Sequence, residues 1–217
     1  MQQYSVRRIP NQTKENRGSL QDLWEHAVVM KHFLSPWVNL GESPTSFRAL
    51  YDDHHLYFRF EVTDSHVYVN HDLPGRHAID NSDRVELFFR TDEELNPYYC
   101  LEIDSEARCQ DFKGHPGKKL DFDWNWPTQE LLLTSKRTEL GFEVEGALKL
   151  STFEELGLLN DGKIETGVYR ARYHRQPDNS WEPEWICWVD PKTPEPDFHN
   201  PHSFGVFELE GYSESGE

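Results

Sequence analysis

The sequence predicts an all-β protein: an antiparallel β-sandwich of jelly-roll type carrying one short helix. Two segments alternate apolar and polar residues over strand-length runs, "HLYFRFEVTD" (His55 to Asp64) and "DRVELFFR" (Asp83 to Arg90). Aromatic residues reach 13% although the apolar share is only 36%. Clusters of Gly, Pro, Asn and Asp separate the alternating runs at short intervals, the pattern of a strand-and-turn fold. Ten to twelve short strands are expected.

In chain order, "SFRALYDDHH" and "HLYFRFEVTD" form a hairpin across an Asp-Asp-His-His turn. In the second arm Leu56, Phe58, Phe60 and Val62 share one face, and Tyr57, Arg59, Glu61 and Thr63 the other. A long polar connection runs from Ser65 to Ser82. The strand after it points Val85, Leu87 and Phe89 one way and Arg84, Glu86, Phe88 and Arg90 the other. "NPYYCLEIDSEARCQDFKG" is a second hairpin turning near Ser105-Glu106, and "QELLLTSKRTELGFEVEGALKL" a third turning at Glu139–Gly141. In the latter Phe142, Val144 and Leu148 face the core. Ser151 and Glu154 have the spacing of a capping box and Gly157 can end the helix they open. "KIETGVYRARYHR", "EWICWVD" and "SFGVFELEG" complete the strands. No repeat and no Gly/Ser linker divides the chain, so one domain is expected over 1–217, with its core at about 20–211.

The net charge of −17 argues against nucleic acid, because a phosphate backbone would be repelled. No run of 18 apolar residues occurs, so no membrane-spanning helix is expected. The opening "MQQYSVRRIPNQTKENRG" lacks an apolar stretch of secretory type. As written the chain reads as cytoplasmic; a removed signal would make it secreted or periplasmic. The odd number of cysteines, Cys100, Cys109 and Cys187, shows no C-x-x-C spacing, which leaves small buried thiols, although Cys100 and Cys109 are placed to face each other across a hairpin.

Six segments, "LYDDHHLYFRFEVTD", "NSDRVELFFR", "YYCLEIDSEARCQDF", "GFEVEGALKLSTFEELG", "YRARYHR" and "PDFHNPHSFGVFEL", together resemble the carbohydrate-binding module family 9-like domains, a β-sandwich family related to DOMON-type folds. The ordered set covers most of residues 20 to 210. The resemblance implies binding of oligosaccharide or polysaccharide without catalysis, the ligands being plant-type fragments such as xylan or glucan oligosaccharides. Modules of this kind are often joined to xylanases and other glycoside hydrolases. It also implies a terminal sugar clamped between two tryptophans, with structural calcium. Here the loop before the D-x-V-E strand reads "HAIDNSDRVE" and has no tryptophan. Two other classes stand beside this one. A glycoside hydrolase, or a subunit associated with one, would need a carboxylate pair, and 39 acidic residues single out none. A haem-binding DOMON-like domain would need axial ligands; Met30 is the one internal methionine, and no pair stands out among 11 histidines.

A sugar offers hydroxyls at its edge and C–H groups on its face, so its site wants aromatic plates and planar hydrogen-bonding side chains. With no tryptophan in the "HAIDNSDRVE" loop, plates must come from Trp124 and Trp126 in "DFDWNWP" and from Trp181 and Trp185 in "NSWEPEWICW". Hydrogen-bonding partners are expected from Asn81, Asp83, Arg84 and Glu86. Trp188 is expected in the core, and Trp24 and Trp37 are read as structural. If Arg59, Glu61, Glu143, Glu145, Arg170, Arg172 and His174 share one sheet face with Arg84, Glu86 and Arg90, that face is an Arg/Glu lattice. "PDFHNPHSFG", with Asp197, His199 and His202, is read as a loop locked over the end of the sandwich. No cofactor is expected. Asp52, Asp53, Asp64, Asp80 and Asp83 are the oxygen ligands on offer should calcium have a structural role, but no D-x-D-x-D-G loop is present.

Overall fold

A computed structural model describes residues 1–9, 20–38, 40–41, 43–127 and 129–213. Among these residues thirteen strands form two sheets that share one strand. Sheet A runs β7 (Lys119–Asp121), β6 (Cys109–His115), β5 (Tyr98–Asp104), β4 (Arg84–Arg90), β11 (Lys163–Arg175), β13 (Gly205–Leu209), β1 (Gln3–Arg8). β10 (Leu159–Asn160) and β12 (Trp181–Cys187) also pair with the long β11. Sheet B runs β1, β2 (Thr45–Tyr51), β3 (His55–Thr63), β9 (Gly141–Lys149), β8 (Leu131–Thr138). β1 pairs in parallel with β13 through Gln3–Val6, then with β2 through Arg7 and Arg8, and so crosses from one sheet to the other. The three expected hairpins are present, at β2–β3, β5–β6 and β8–β9.

The main core lies between the sheets. Phe47, Phe58, Phe60, Phe142 and Val144 of sheet B meet Val85, Leu87, Phe89, Leu101, Ile103, Val168 and Phe207 of sheet A. This is the alternation seen in the sequence, one side of each strand turned inward. Trp188 belongs to this core, as expected. So does Trp126, which is 1% exposed and packs on Phe89 and Phe153. At one end of the sandwich Arg170 of β11, fully buried, reaches Asp64 just beyond β3 at 2.6 Å and also donates to Ser43 and Thr45. Burial works to raise the Asp64 pKa, but a backbone N–H from His66 and the guanidiniums of Arg170 and Arg172 outweigh it and hold the carboxyl low.

Several expectations are corrected. The charged residues do not form one lattice. Arg84 pairs in register with Ala171, so Arg170 and Arg172 point to the opposite face of sheet A from Arg84 and Glu86. Arg59, bonded to Glu61, Glu143 and Glu145, lies on sheet B. Cys100 faces Phe112 and Cys109 faces Ile103, so these two are not cross-strand partners; all three cysteines are free. The expected helix is α3 (Leu150–Glu155), but it starts one residue early and Ser151 forms no cap, because Leu150 is already held by the carbonyl of His54. Two further short helices, α1 (Leu20–Leu23) and α2 (Arg76–Asp80), were not anticipated; α2 falls inside the long polar connection.

The middle of sheet A is buried on both sides. All seven residues of β4 and all seven of β5 are buried. Its outward face carries Phe88, Tyr98, Cys100, Phe112 and Tyr169, and the segment 190–204 lies over it, placing Phe198 and Phe204 against them. The Phe198 ring stacks on Tyr169 at 4.1 Å. The "PDFHNPHSFG" loop therefore covers a sheet face, not merely an end of the sandwich. Gly114 of β6 is required here: a Cβ would stand 2.0 Å from Tyr98 Cζ. Trp126→Ala should lower unfolding free energy by about 3–5 kcal/mol, measured in urea, since its loss opens a cavity in the main core. A fall under about 1 kcal/mol would mean that Trp126 is not a core side chain.

Candidate functional site

The covering segment does not fill the whole outward face. Beside Phe198 it leaves a pocket of about 200 Å³, lined by Arg84, Glu86, Glu102, Lys118, Trp185 and the stretch Pro196–His199. β4 supplies Arg84 and Glu86. β5 supplies Glu102, directly opposite Glu86 in the ladder. β12 supplies Trp185, whose neighbour two residues on, Cys187, lies in the apolar cluster of the same face. Alternation along each strand turns all four side chains the same way.

At the floor, one guanidinium stands between two carboxylates. Arg84 Nε is 2.9 Å from Glu86 Oε1 and 3.2 Å from Glu102 Oε2, with side-chain exposures of 5%, 1% and 7%. Arg84 also donates to the carbonyl of Asp80 at 2.8 Å, and Tyr173 donates its hydroxyl to the same oxygen. Gln110 of β6 donates to Asp80 Oδ1 at 2.8 Å and to Glu102 Oε2 at 3.3 Å. Arg84 Nε and Glu86 Oε1 are themselves sealed from solvent and hold each other as a close ion pair.

Two carboxylates share one cation away from water. Burial is the largest cause pushing both upward; the Arg84 charge opposes it, and the two carboxylates and Asp80 repel one another. Glu102 is pushed up to about 8. Burial therefore favours the protonated form of a carboxyl in this pair. At the rim Lys118 bonds Asp197 at 2.9 Å. His199 is pushed down to about 4, first by burial and then by Lys118, so its ring is neutral; its Nδ1 is 2.8 Å from Tyr98 Oη.

Trp185 forms the apolar wall. It is half-buried, lies 5.4 Å from Arg84 Cζ and meets Phe198 edge-on at 5.6 Å. A ring fixed on two sides offers a rigid plate.

Of the residues expected at the site, the structure brings together Arg84, Glu86 and Trp185. Trp124 and Trp126 do not join them: they sit on the inter-sheet side, Trp124 against Tyr99 at 4.8 Å and Trp126 inside the main core. Asp83 is fully buried, accepts from the backbone N–H of Tyr173 and is pushed up to about 7, chiefly by burial. One residue from Arg84 along the strand, it points away from the pocket. Asn81 bonds the carbonyl of His77, outside the pocket lining. Trp181 lies on the pocket's face of β12 but stacks on Tyr68 beyond the lining. Glu102, Lys118 and His199 were missed. The alternation of "YYCLEID" put Glu102 beside Cys100 on one face, but its pairing with Glu86 needed the ladder register. No group of three or more His, Cys, Asp or Glu that could hold a metal occurs among the described residues.

The chain matches the model of the "Carbohydrate family 9 binding domain-like" family over residues 17–212, and it belongs to that family. No curated protein matches it. Among solved structures it is similar to a candidate carbohydrate-binding protein from Bacteroides uniformis, at 16% identity and TM-score 0.72, over 96% of this chain and 99% of that one. It is also similar to a carbohydrate binding module family 9 domain from Caldicellulosiruptor kristjanssonii in complex with glucose, at 15% identity and TM-score 0.62, covering all of both chains. The same module in complex with cellotriose gives 15% identity and TM-score 0.61, over 100% of this chain and 97% of that one. At these identities the likeness is one of fold.

The buried acids carry a pH signature. A carboxyl that ionises in the unfolded chain at its ordinary value but stays protonated when folded makes folding take up a proton. Its stabilising share is complete below the ordinary carboxylate range and disappears as pH rises through the folded values, about 7 for Asp83 and about 8 for Glu102. The melting temperature should fall between about pH 5 and about pH 9, and Glu102→Gln should make that fall shallower. Identical profiles for the two proteins would show that Glu102 ionises normally.

Proposed function

We propose that the pocket over β4, β5 and β12 binds one ring of a neutral oligosaccharide, of glucan or xylan type, and that the protein does not hydrolyse it. The observation that carries this reading is the half-buried plate of Trp185 standing at a pocket whose floor is the Arg84, Glu86 and Glu102 group. A pyranose ring laid on Trp185 would turn its C–H face to the indole and its hydroxyl edge to the floor. The floor then offers the guanidinium and carboxyl groups of Arg84, Glu86 and Glu102 as hydrogen-bonding partners. One arginine against a carboxyl pair in which burial favours a proton leaves little net charge there, which suits an uncharged ligand. The glucose and cellotriose of the solved relatives support a glucan-type ligand first.

The same geometry argues against hydrolysis. Cleaving a glycosidic bond takes two carboxyl groups that flank the bond from different sides. Glu86 and Glu102 are neighbours on adjacent strands and are held by a single guanidinium.

Affinity should be modest, on the order of micromolar to millimolar, because a small contact must offset the ligand's lost freedom. Calorimetry with glucose, cellotriose and xylotriose is the test. Trp185→Ala should weaken binding several-fold, since a stacked plate contributes about 0.5–1.5 kcal/mol beyond its buried area. Glu86→Ala should weaken it further by leaving Arg84 without its nearest carboxylate. Undiminished binding by Trp185→Ala, or no heat with any sugar from the folded wild type, would overturn the reading.

A further inference from the structure

We infer that the site extends beyond the pocket: Trp181 and Tyr68 form an outer aromatic subsite that takes a distal ring of the same oligosaccharide. This rests on the pocket reading above. Trp181, Pro183 and Trp185 alternate along β12 and so face the same side; they pair with Arg175, Tyr173 and Ala171 of β11. Four residues of strand place Trp181 about 13 Å from Trp185. Two adjacent rings cannot span that separation, but a short linear oligomer can.

The path between them is built of the pocket's own supports. Tyr173, paired with Pro183, donates to the Asp80 carbonyl that also receives Arg84. Its ring lies 6.2 Å from that of Tyr68. Tyr68 in turn stacks on Trp181 at 3.8 Å and 12°. Tyr68 is itself fixed, for its carbonyl accepts from the backbone N–H of Asp83 and its hydroxyl accepts from Asn70. Pocket floor and outer plate are thus held by one continuous set of contacts. Trp181 and Tyr68 both remain partly exposed. Stacking the two rings spares the entropy of ordering an indole when a sugar arrives, because the plate is already in place. At the other end of the pocket the covering segment itself closes the face with buried Phe198 and half-buried His199, so the ligand has its way out along β12.

The test is calorimetry with glucose, cellobiose, cellotriose and cellotetraose on the wild type, Trp181→Ala and Trp181→Leu, each checked by thermal melting. The leucine variant keeps apolar bulk at the strand end should alanine fail to fold. In the wild type, affinity should rise about three- to tenfold between cellobiose and the longer oligomers, the contribution of one added plate. In either variant the ratio of cellotetraose to glucose affinity should collapse toward that of cellobiose to glucose. A wild-type affinity that is flat with length overturns the outer subsite while leaving the pocket in place. A length increment that survives in both variants does the same. Binding of none of the four sugars overturns the pocket and the outer subsite together.

Discussion

Two central strands buried on both faces are the constraint from which the rest follows. β4 and β5 turn one row of side chains into the space between the sheets and the other row outward, and the outward row is no more polar than a core: Phe88, Tyr98, Cys100 and Phe112. Left open to water, those rings would cost about 1.5–3 kcal/mol each relative to burial. The segment 190–204 covers them with Phe198 and Phe204. The pocket exists where that cover stops, at the end of the face where the row changes from Phe88 to Glu86 and Arg84. Ligand site and covering segment are two parts of one packing solution.

Charges enter that solution under strict terms. A single buried ion costs several kcal/mol to desolvate, and a pair recovers the cost only with good geometry and further hydrogen bonds. The Arg170–Asp64 pair meets this demand: Ser43 and Thr45 accept from Arg170, and Asp64 takes N–H groups. It ties one end of the two sheets together. The Arg84 group does not meet it fully. It has one cation for two carboxylates. The contrast is between a pair with matched charges and a group with one carboxylate in excess.

Much of this was legible in the sequence, and the reason is periodicity. Strict alternation in "HLYFRFEVTD" and "DRVELFFR" placed Phe58, Phe60, Val85 and Leu87 in the core, and three hairpin turns were found from their turn residues. β1 escaped because its six residues pair in parallel with strands more than forty positions away, which no local pattern records. The common Arg/Glu face failed for the same reason. Alternation says which residues of one strand go together, but only the register showed that Arg170 backs onto Val85 while Ala171 stands beside Arg84. Trp126 looked like a surface plate because its neighbours are Asp, Asn and Pro; the fold turns it inward against Phe89 while Asp123 and Asn125 stay exposed. Composition of a loop does not give the direction of each side chain.

The pocket itself was half legible. Arg84, Glu86 and Trp185 were named, and the absence of a tryptophan before the strand sent the search for a plate elsewhere. Glu102 and His199 come from segments far apart in sequence, and only the ladder and the covering segment bring them together. The most direct measurement is a crystal structure of the protein soaked with cellotriose. Density for a sugar ring lying on Trp185, with hydroxyls within hydrogen-bonding distance of the Arg84, Glu86 or Glu102 side chain, is the expected result. A ring bound against Trp124 or on sheet B, with this pocket empty at saturating sugar, would contradict it.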